Sequence, residues 1–384
     1  MTETGEALAA RALGGLLPED WAVAPAPDDA PPEGRLWIIP GHGGPRWIVP
    51  EDPDLGWPGL AAWRPFGRVS RAKWAAVMAT YRARRLGRLP GVAAIGIVPA
   101  ADGTGWETIG WDEARPPALV VSIGAPGPTR KATAILVSRA RRAVVAVAKA
   151  PLAPGAAARI RHEAETLDRL ARARPGLAPR LLHHDADRGR SLQAALPGSA
   201  MGGRLAAPHR AFLAALAPPV ATLPRAEFLA DLAARLAAVE TLAPETAARR
   251  RAALAALAGP GAVGIGRVHG DFAPWNLRRA RDGALAAFDW EFAEPAGLRG
   301  HDAAHFIARV AIAGGARAPG VLERRVVAAL SRPALRPLLG HGDARLVWRL
   351  YVLAHLATLA ECGIADGHAE IFNQVVETWR HEPL

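Results

Sequence analysis

An α+β fold is predicted by a change in hydrophobic period along the chain. Short β-branched runs dominate up to about residue 196, whereas helical spacing of apolar residues dominates beyond it. A third observation is textural: residues 1–114 hold eight of the 12 tryptophans and dense Pro-Gly punctuation. The boundaries read as an N-terminal accessory Trp-rich region at 1–114, a small lobe with a hinge at 115–198, and a mainly helical large lobe at 199–384.

In the first region Arg35–Ile39 and Arg46–Val49, separated by Pro-Gly-His-Gly-Gly-Pro, read as two strands across a loop. Ser70 to Leu86 reads as a helix with Ser70 as N-cap and Trp74, Val77, Met78 and Tyr81 on one face. Aromatic side chains usually pack, so the tryptophans are read as core and not as a sugar-stacking platform.

The small lobe opens with three strand-like runs, Leu119–Ile123, Ala134–Val137 and Val144–Ala148. The turn Gly124-Ala-Pro-Gly127 joins the first two, and Lys131 follows it. Lys149 ends the third run. The next segment, 159–173, carries Ile160, Ala164, Leu167 and Leu170 at helical spacing. At about 100° per residue Glu163 falls inside that apolar stripe and Glu165 points away from it. A carboxylate on an inward face is costly unless paired, so Glu163 is the expected partner of Lys149. Arg180–His184 and Ser191–Leu196 then read as a hairpin ending in Pro197-Gly198.

The large lobe reads as helices. Phe228, Leu229, Leu232, Leu236 and Val239 form one apolar face, Ala247–Leu257 a second amphipathic segment, and Asp343 caps a long apolar helix through Leu346, Leu350, Leu353 and Ala357.

The chemistry-bearing stretch is Arg267–Glu291, reading Arg-Val-His-Gly-Asp-Phe-Ala-Pro-Trp-Asn-Leu, a variable turn, then Ala-Phe-Asp-Trp-Glu. Gly270 permits unusual backbone angles and Pro274 restricts the residue before it. Leu277–Phe288 reads as a hairpin about the Asp282-Gly283 turn that delivers Asp289 back beside the loop. An ionised carboxylate accepts a proton from an attacking hydroxyl, and a second carboxylate with an amide oxygen holds a hard cation such as magnesium. Asp271 and Asn276 stand at the base-and-metal-ligand spacing of a kinase catalytic loop. His269 is read as a structural residue orienting that loop, and Phe272, Trp275 and Trp290 as packing. Glu291 shares a face with Asp289 in extended chain, as a support for the metal or as a solvent-facing group.

His-Gly-Asp-Phe-Ala-Pro-Trp-Asn at 269–276 followed by Phe-Asp-Trp-Glu at 288–291 resembles the aminoglycoside phosphotransferase and choline kinase family. The resemblance spans about 115–384 and is strongest at 267–302. It implies a two-lobed protein-kinase-like fold, with an antiparallel-sheet small lobe and a mainly helical large one. It also implies an ATP- or GTP-dependent phosphotransferase acting on a hydroxyl of a sugar, aminoglycoside or amino alcohol. On that resemblance Asp271 is the catalytic base, and Asn276 and Asp289 hold Mg2+. Lys149, positioned by Glu163, orients the nucleotide phosphates, and Lys131 assists at the phosphate loop. The backbone from Gln193 to Leu196 meets the nucleotide base, and Asp302 braces the catalytic loop. The phosphate turn departs from the family by lacking G-x-G-x-x-G, which keeps open a nucleotide-binding pseudokinase or scaffold without transfer activity.

Other classes fit less well. His301-Asp-Ala-Ala-His305 has the i, i+4 spacing of a zinc site, but Asp302 stands where a metalloprotease needs Glu, and no third ligand follows at motif spacing. The net charge of +11, from 47 basic and 36 acidic residues, comes without a nucleic-acid-binding motif or an aromatic-interleaved basic stripe, so no nucleic-acid partner is expected. The acidic start, the absence of an 18-residue apolar run and the lone Cys362 lead to the expectation of a cytoplasmic protein with no membrane partner. Glu361, Asp366 and Glu370 are the carboxylates available to a cationic acceptor.

Overall fold

The computed structural model describes residues 3–26, 34–63, 65, 68–98, 106–109, 111, 113–217, 221–239 and 243–379. The chain divides into two compact units, the first formed by 1–169 with 179–196 and the second by 170–178 with 197–384.

The first unit is built on a sheet. In chain order it holds α1 (Gly5–Leu16), β1 (Ala22–Ala24), β2 (Arg35–Gly41), β3 (Gly44–Pro50), α2 (Pro53–Ala62), α3 (Arg68–Arg82), β4 (Ala93–Val98), β5 (Ala118–Ile123), β6 (Lys131–Ser138), β7 (Ala143–Pro151), the greater part of α4 (Pro154–Ala173), β8 (Leu181–Asp185) and β9 (Arg190–Ala194). Among the described residues the nine strands form one sheet in the order β1-β4-β2-β3-β5-β6-β7-β9-β8, and every pairing is antiparallel. Residues 1–114, read from sequence as an accessory region, thus supply four strands of the sheet that the small lobe completes. The join is β3 to β5, with Trp47 opposite Ser122 and Ile48 opposite Val121.

Strand alternation explains why both faces are covered. Leu119, Val121 and Ile123 of β5 point to the face on which α1 buries Leu8, Ala9, Ala12, Leu13 and Leu16, while Val120 points to the face that holds Leu60 of α2 and Met78 and Tyr81 of α3. The tryptophans belong to these cores. Trp106 and Trp111 are buried on the α1 face, and Trp47, Trp63 and Trp74 form a mutual cluster on the other with ring centroids 4.7–5.4 Å apart.

Several boundaries differ from the sequence reading: α4 begins at Pro154 and not at 159, and β7 continues past Lys149 to Pro151. The helix expected from Ser70 to Leu86 runs from Arg68 to Arg82, with Ser70 inside it and not at its cap. Its end is set where Arg84 takes a left-handed φ of 55° and the Arg85 N–H returns to the carbonyl of Thr80.

The second unit is mainly helical. It contains β10 (Ser199–Ala200), α5 (Ala207–Leu216), β11 (Ala221–Pro224), α6 (Arg225–Ala237), α7 (Pro244–Ala256), β12 (Ala262–Val268), β13 (Leu277–Arg279), β14 (Leu285–Ala287), β15 (Glu294–Leu298), α8 (His301–Ala313), α9 (Pro319–Leu330), α10 (Arg336–Leu339), α11 (Ala344–Glu361) and α12 (Gly367–Thr378). Two small antiparallel sheets, β10-β13-β14 and β11-β12-β15, carry the loop at 269–276 and its neighbours. Their support is α11, which is apolar nearly all round and packs against α6, α8, α9, α12 and β15. Asp343 caps it by accepting hydrogen bonds from the N–H groups of Arg345 and Leu346, as the sequence indicated.

Because Leu13 of α1 is fully buried against the sheet, Leu13→Ala is expected to destabilise the first unit by about 2–5 kcal/mol, the range for truncating a buried leucine. Urea unfolding followed by tryptophan fluorescence measures this. An unchanged midpoint would mean that the N-terminal helix is not part of that core.

Candidate active site

The first unit holds an ion pair in its interior. Lys149 lies on β7 between Thr133 of β6 and Ser191 of β9, and Glu163 lies on α4 within the stripe formed by Ala156, Ile160, Ala164 and Leu167. The Lys149 Nζ is 2.7 Å from each carboxylate oxygen of Glu163, and both side chains are buried, whereas Glu165 is exposed. The inward position of Glu163 is the one its helical phase predicts. Removing one member of such a pair strands a charge in the core, so the pair holds the ammonium in one position.

Lys131 begins β6 opposite Pro151, two residues beyond Lys149 on the neighbouring strand, and is partly exposed. The 124–130 turn is closed by the Gly124 N–H to Lys131 carbonyl bond, by the Arg130 Nε donating to the Gly124 carbonyl, and by the Gly155 N–H at the start of α4 donating to the Pro128 carbonyl. Gln193 is buried in β9 opposite Val147, and Leu196 follows that strand, half-buried.

The second unit gathers the other candidates. Its loop is fixed from below by Asp302, in the first turn of α8. The Asp302 Oδ2 accepts the N–H of His269 at 2.8 Å and its Oδ1 accepts the N–H of Gly270 at 3.0 Å. Gly270 has φ of 84°, and a Cβ there would stand 2.1 Å from the Phe292 carbonyl oxygen, so no other residue fits. His269 is buried in one tautomer: Nε2–H donates to the Phe288 carbonyl at 3.1 Å, leaving Nδ1 to accept the Asp271 N–H at 3.2 Å. This is the orienting role read from sequence, and the ring packs on Trp290 with centroids 4.3 Å apart.

Asn276 closes the loop. Its Nδ2 donates to the Asp271 carbonyl at 2.9 Å and to the Asp271 Oδ2 at 2.8 Å. Both amide hydrogens are thereby committed and the side-chain oxygen is left as an acceptor, the donor type a hard cation takes. The expected hairpin forms, with Leu277 opposite Ala287 and Arg279 opposite Leu285. Its last residue, Phe288, is held at both backbone groups, the N–H donating to the Asn276 carbonyl at 3.0 Å and the carbonyl accepting from His269. The motif's two halves are therefore joined one residue before Asp289, which itself takes a left-handed φ of 70°. This conformation is uncommon outside glycine, although aspartate tolerates it better than most residues.

The carboxylates are tuned by what surrounds them. Burial pushes the Asp271 carboxyl up, but the hydrogen bond from His305, with the charge of Arg309, outweighs this and holds it below the usual carboxylate range; Asp289 acts the other way. For Asp302 burial also pushes upward, and His301, His269 and the backbone N–H bond bring it below its ordinary value. Both groups are ionised at neutral pH.

The segment 130–338 matches the family model described as the phosphotransferase enzyme family, APH, over more than half of the chain. The chain belongs to this family. Its fold is the protein-kinase-like α+β fold, and the matched segment contains Lys131, Lys149, Glu163, Gln193, Leu196, Asp271, Asn276 and Asp289. No curated protein matches the chain. Similar solved structures include macrolide 2'-phosphotransferase MphH from Brachybacterium faecium, with 18% identity over 68% of this chain and 93% of that one and a TM-score of 0.39. Another is ADP-bound aminoglycoside phosphotransferase APH(2'')-Ib, at 16% identity over 67% and 97% with a TM-score of 0.36. Choline kinase LicA from Streptococcus pneumoniae is similar at 11% identity over 68% and 88%, with a TM-score of 0.38.

Sequence reasoning missed one layer of the site. His305 donates to Asp271, Tyr351 approaches His305, and the Arg309 guanidinium lies 5.3 Å over the Trp275 ring. Asp302, His305 and Arg309 stand on one face of α8, but that spacing does not by itself say which loop the face meets. Among the described residues no cluster of three or more His, Cys, Asp or Glu side chains suits a metal ion. Two carboxylates expected to serve a cationic acceptor are engaged elsewhere: Glu361 accepts from the Arg235 Nε at 2.7 Å, and Asp366 caps α12 through the His368 and Ala369 N–H groups. A cavity of about 270 Å³ within the second unit is lined instead by Glu227, Asp231, Arg235, Glu294 and His301 among others. Among the described residues no helix is long and apolar enough to cross a membrane.

The depressed Asp302 carboxyl gives a pH prediction with a definite sign. Its stabilisation is fully present above the unfolded carboxyl value of about 4 and is lost as pH falls through its lower folded value. Asp302→Asn is expected to lose about 1.5–3 kcal/mol at pH 7, the usual range for hydrogen bonds to a charged group. It should also show a shallower loss of stability below pH 4 than the wild type, measured by urea unfolding across pH. Equal acid slopes for the two proteins would contradict the assignment.

Proposed function

We propose that the protein transfers the γ-phosphoryl group of ATP or GTP to a hydroxyl of a small molecule. The observation that carries this reading is the Asp271–Asn276 hydrogen bond at 2.8 Å, with Asp289 delivered beside it by the pinned Phe288. It supplies an ionised base and one oxygen ligand from the 269–276 loop, and a second oxygen ligand from the end of the adjoining hairpin.

In this reading Asp271 aligns the acceptor hydroxyl and takes its proton as the oxygen attacks phosphorus. Asn276 and Asp289 hold Mg2+, which supplies neutralisation of the charge on the phosphoryl oxygens when bound. Their fit rests on the amide oxygen of Asn276, left as an acceptor once both amide hydrogens are committed, and on the oxygen-donor chemistry of the Asp289 carboxylate. Lys149, fixed by Glu163, pairs with the α and β phosphates, and Lys131 assists at the phosphate turn. On the family resemblance, the backbone from Gln193 to Leu196 meets the nucleotide base. Catalysis then comes from positioning and electrostatic stabilisation.

The cavity supports an acceptor rich in hydrogen-bond donors. Three carboxylates, Glu227, Asp231 and Glu294, line it against the Arg235 guanidinium, which is paired with Glu294 and Glu361. Sugars, aminosugars such as aminoglycosides, and amino alcohols all present hydroxyl or ammonium groups to such a lining.

Asp271→Ala is expected to lower kcat for acceptor phosphorylation by about a hundredfold to ten-thousandfold, the usual contribution of a positioned base. Asp289→Ala should abolish magnesium-dependent nucleotide binding in titration calorimetry. Acceptors are to be found by screening sugars, aminosugars and amino alcohols with ATP or GTP and following nucleoside diphosphate release. Undiminished transfer in either variant would refute the role assigned to that residue.

A further inference from the structure

The carboxylate of Asp271 has a second holder. Its Oδ2 accepts from Asn276, and its Oδ1 lies 2.8 Å from Nε2 of His305, one turn into α8. His305 is itself almost wholly buried, and its other nitrogen, Nδ1, lies 3.1 Å from the hydroxyl of Tyr351 on α11, which is also fully buried.

The direction of these bonds follows from the groups present. An ionised carboxylate only accepts, so His305 must donate through Nε2–H. In the neutral ring Nδ1 is then a lone-pair acceptor, and the Tyr351 O–H donates to it. Each partner fixes the tautomer of the ring between them. From this chain of bonds the geometry points to His305 as a positioning residue for phosphoryl transfer, held in its Nε2–H tautomer by Tyr351 and aiming the base Asp271 at the acceptor hydroxyl.

The surroundings agree. Burial lowers the His305 imidazole to about 4 despite the pull of Asp271, with Arg309 and His301 adding to the lowering, so the ring is neutral at physiological pH. Burial raises the Tyr351 phenol far above its ordinary value, which keeps it a donor. The other titratable groups around the ring are His301 and Arg309 on α8 and His355 on α11, and His355 is also held neutral by burial. No proton leaves His305 in this scheme. With one oxygen tied to Asn276 and the other to His305, the carboxylate cannot rotate about its Cβ–Cγ bond, and the remaining lone pairs keep a fixed direction.

The inference rests on Asp271 being the base, so the test separates the two. Nucleoside diphosphate release with a responsive acceptor is measured for wild type, Asp271→Ala, His305→Phe, His305→Gln and Tyr351→Phe. His305→Phe should lower kcat about tenfold to a hundredfold, as outer-layer partners of a reactive group commonly do, with the acceptor and nucleotide KM little changed. His305→Gln, which keeps an N–H donor on a side chain of similar reach, should recover most of that loss, and Tyr351→Phe should show a smaller fall. Loss of activity in Asp271→Ala together with full kcat in His305→Phe would overturn the positioning role and leave the base intact. Full activity in Asp271→Ala would overturn the base itself. A readout independent of turnover is the 15N spectrum of the imidazoles in the wild-type protein: the His305 ring should be neutral with its proton on Nε2 at pH 7. A proton on Nδ1 alone, or a charged ring, would overturn the arrangement even where variants fail to fold.

Discussion

The two hydrogen bonds from the Asp302 carboxylate to the N–H groups of His269 and Gly270 are the constraint on which the site depends. Backbone N–H groups turned inward at a tight loop need acceptors, and a buried carboxylate needs donors; each satisfies the other. With the His269 backbone fixed, its ring spans Phe288 and Asp271. With Phe288 fixed, Asp289 has one place to go. The order matters because a single carboxylate on α8 sets the direction of a loop and of a hairpin end that are well separated in sequence.

The same helix does more than brace. Asp302, His305 and Arg309 occupy one face of α8, so the element that supports the loop backbone also meets the Asp271 side chain and packs over Trp275. Rigidity reaches α8 from α11, whose buried Tyr351 and His355 lie against His301 and His305. A carboxylate mounted on a loop alone would sample several directions. Here it is tied to two helices through side chains with few rotamers and no room to move.

Much of this was legible in the sequence, for identifiable reasons. The strands from Leu119 to Ala148 and the hairpin at 277–287 announce themselves by period and turn chemistry, and Glu163 by its phase on α4. Local signals sufficed for each. What could not be read was pairing over distance: that β3 joins β5 and makes one sheet of the Trp-rich region and the small lobe, or that His305 reaches Asp271. Both depend on contacts between segments whose local patterns are silent about one another. His301 and His305 showed the misleading side of this. Their spacing suits a metal, yet each ring is surrounded by aromatic neighbours, and the His305 Nε2 is bonded to the carboxylate of the base. The Ser70 cap failed for another reason, since a serine in the first turns of a helix looks the same as one at its cap.

The choice of a neutral imidazole beside Asp271, the proposed base, has an electrostatic logic. A general base must be ionised when the acceptor arrives, yet retain enough basicity to draw the hydroxyl proton as phosphorus is attacked. A guanidinium or ammonium in direct contact with Asp271 would secure the first and sacrifice the second, because opposite charges at close range lower a carboxyl by roughly one to three pKa units. A purely apolar neighbour would do the reverse and let burial protonate the acid. His305 lies between these cases: its N–H donates a hydrogen bond to the ionised form, while burial on α8 keeps the ring from gaining the charge that would overstabilise it. The cationic Arg309 is turned over the Trp275 ring and acts on the carboxylate by its charge, without a hydrogen bond to it. The hydrogen bond from a neutral donor therefore both sets the direction of the carboxylate and favours its ionised form, and the charge of the more distant Arg309 adds to the second effect.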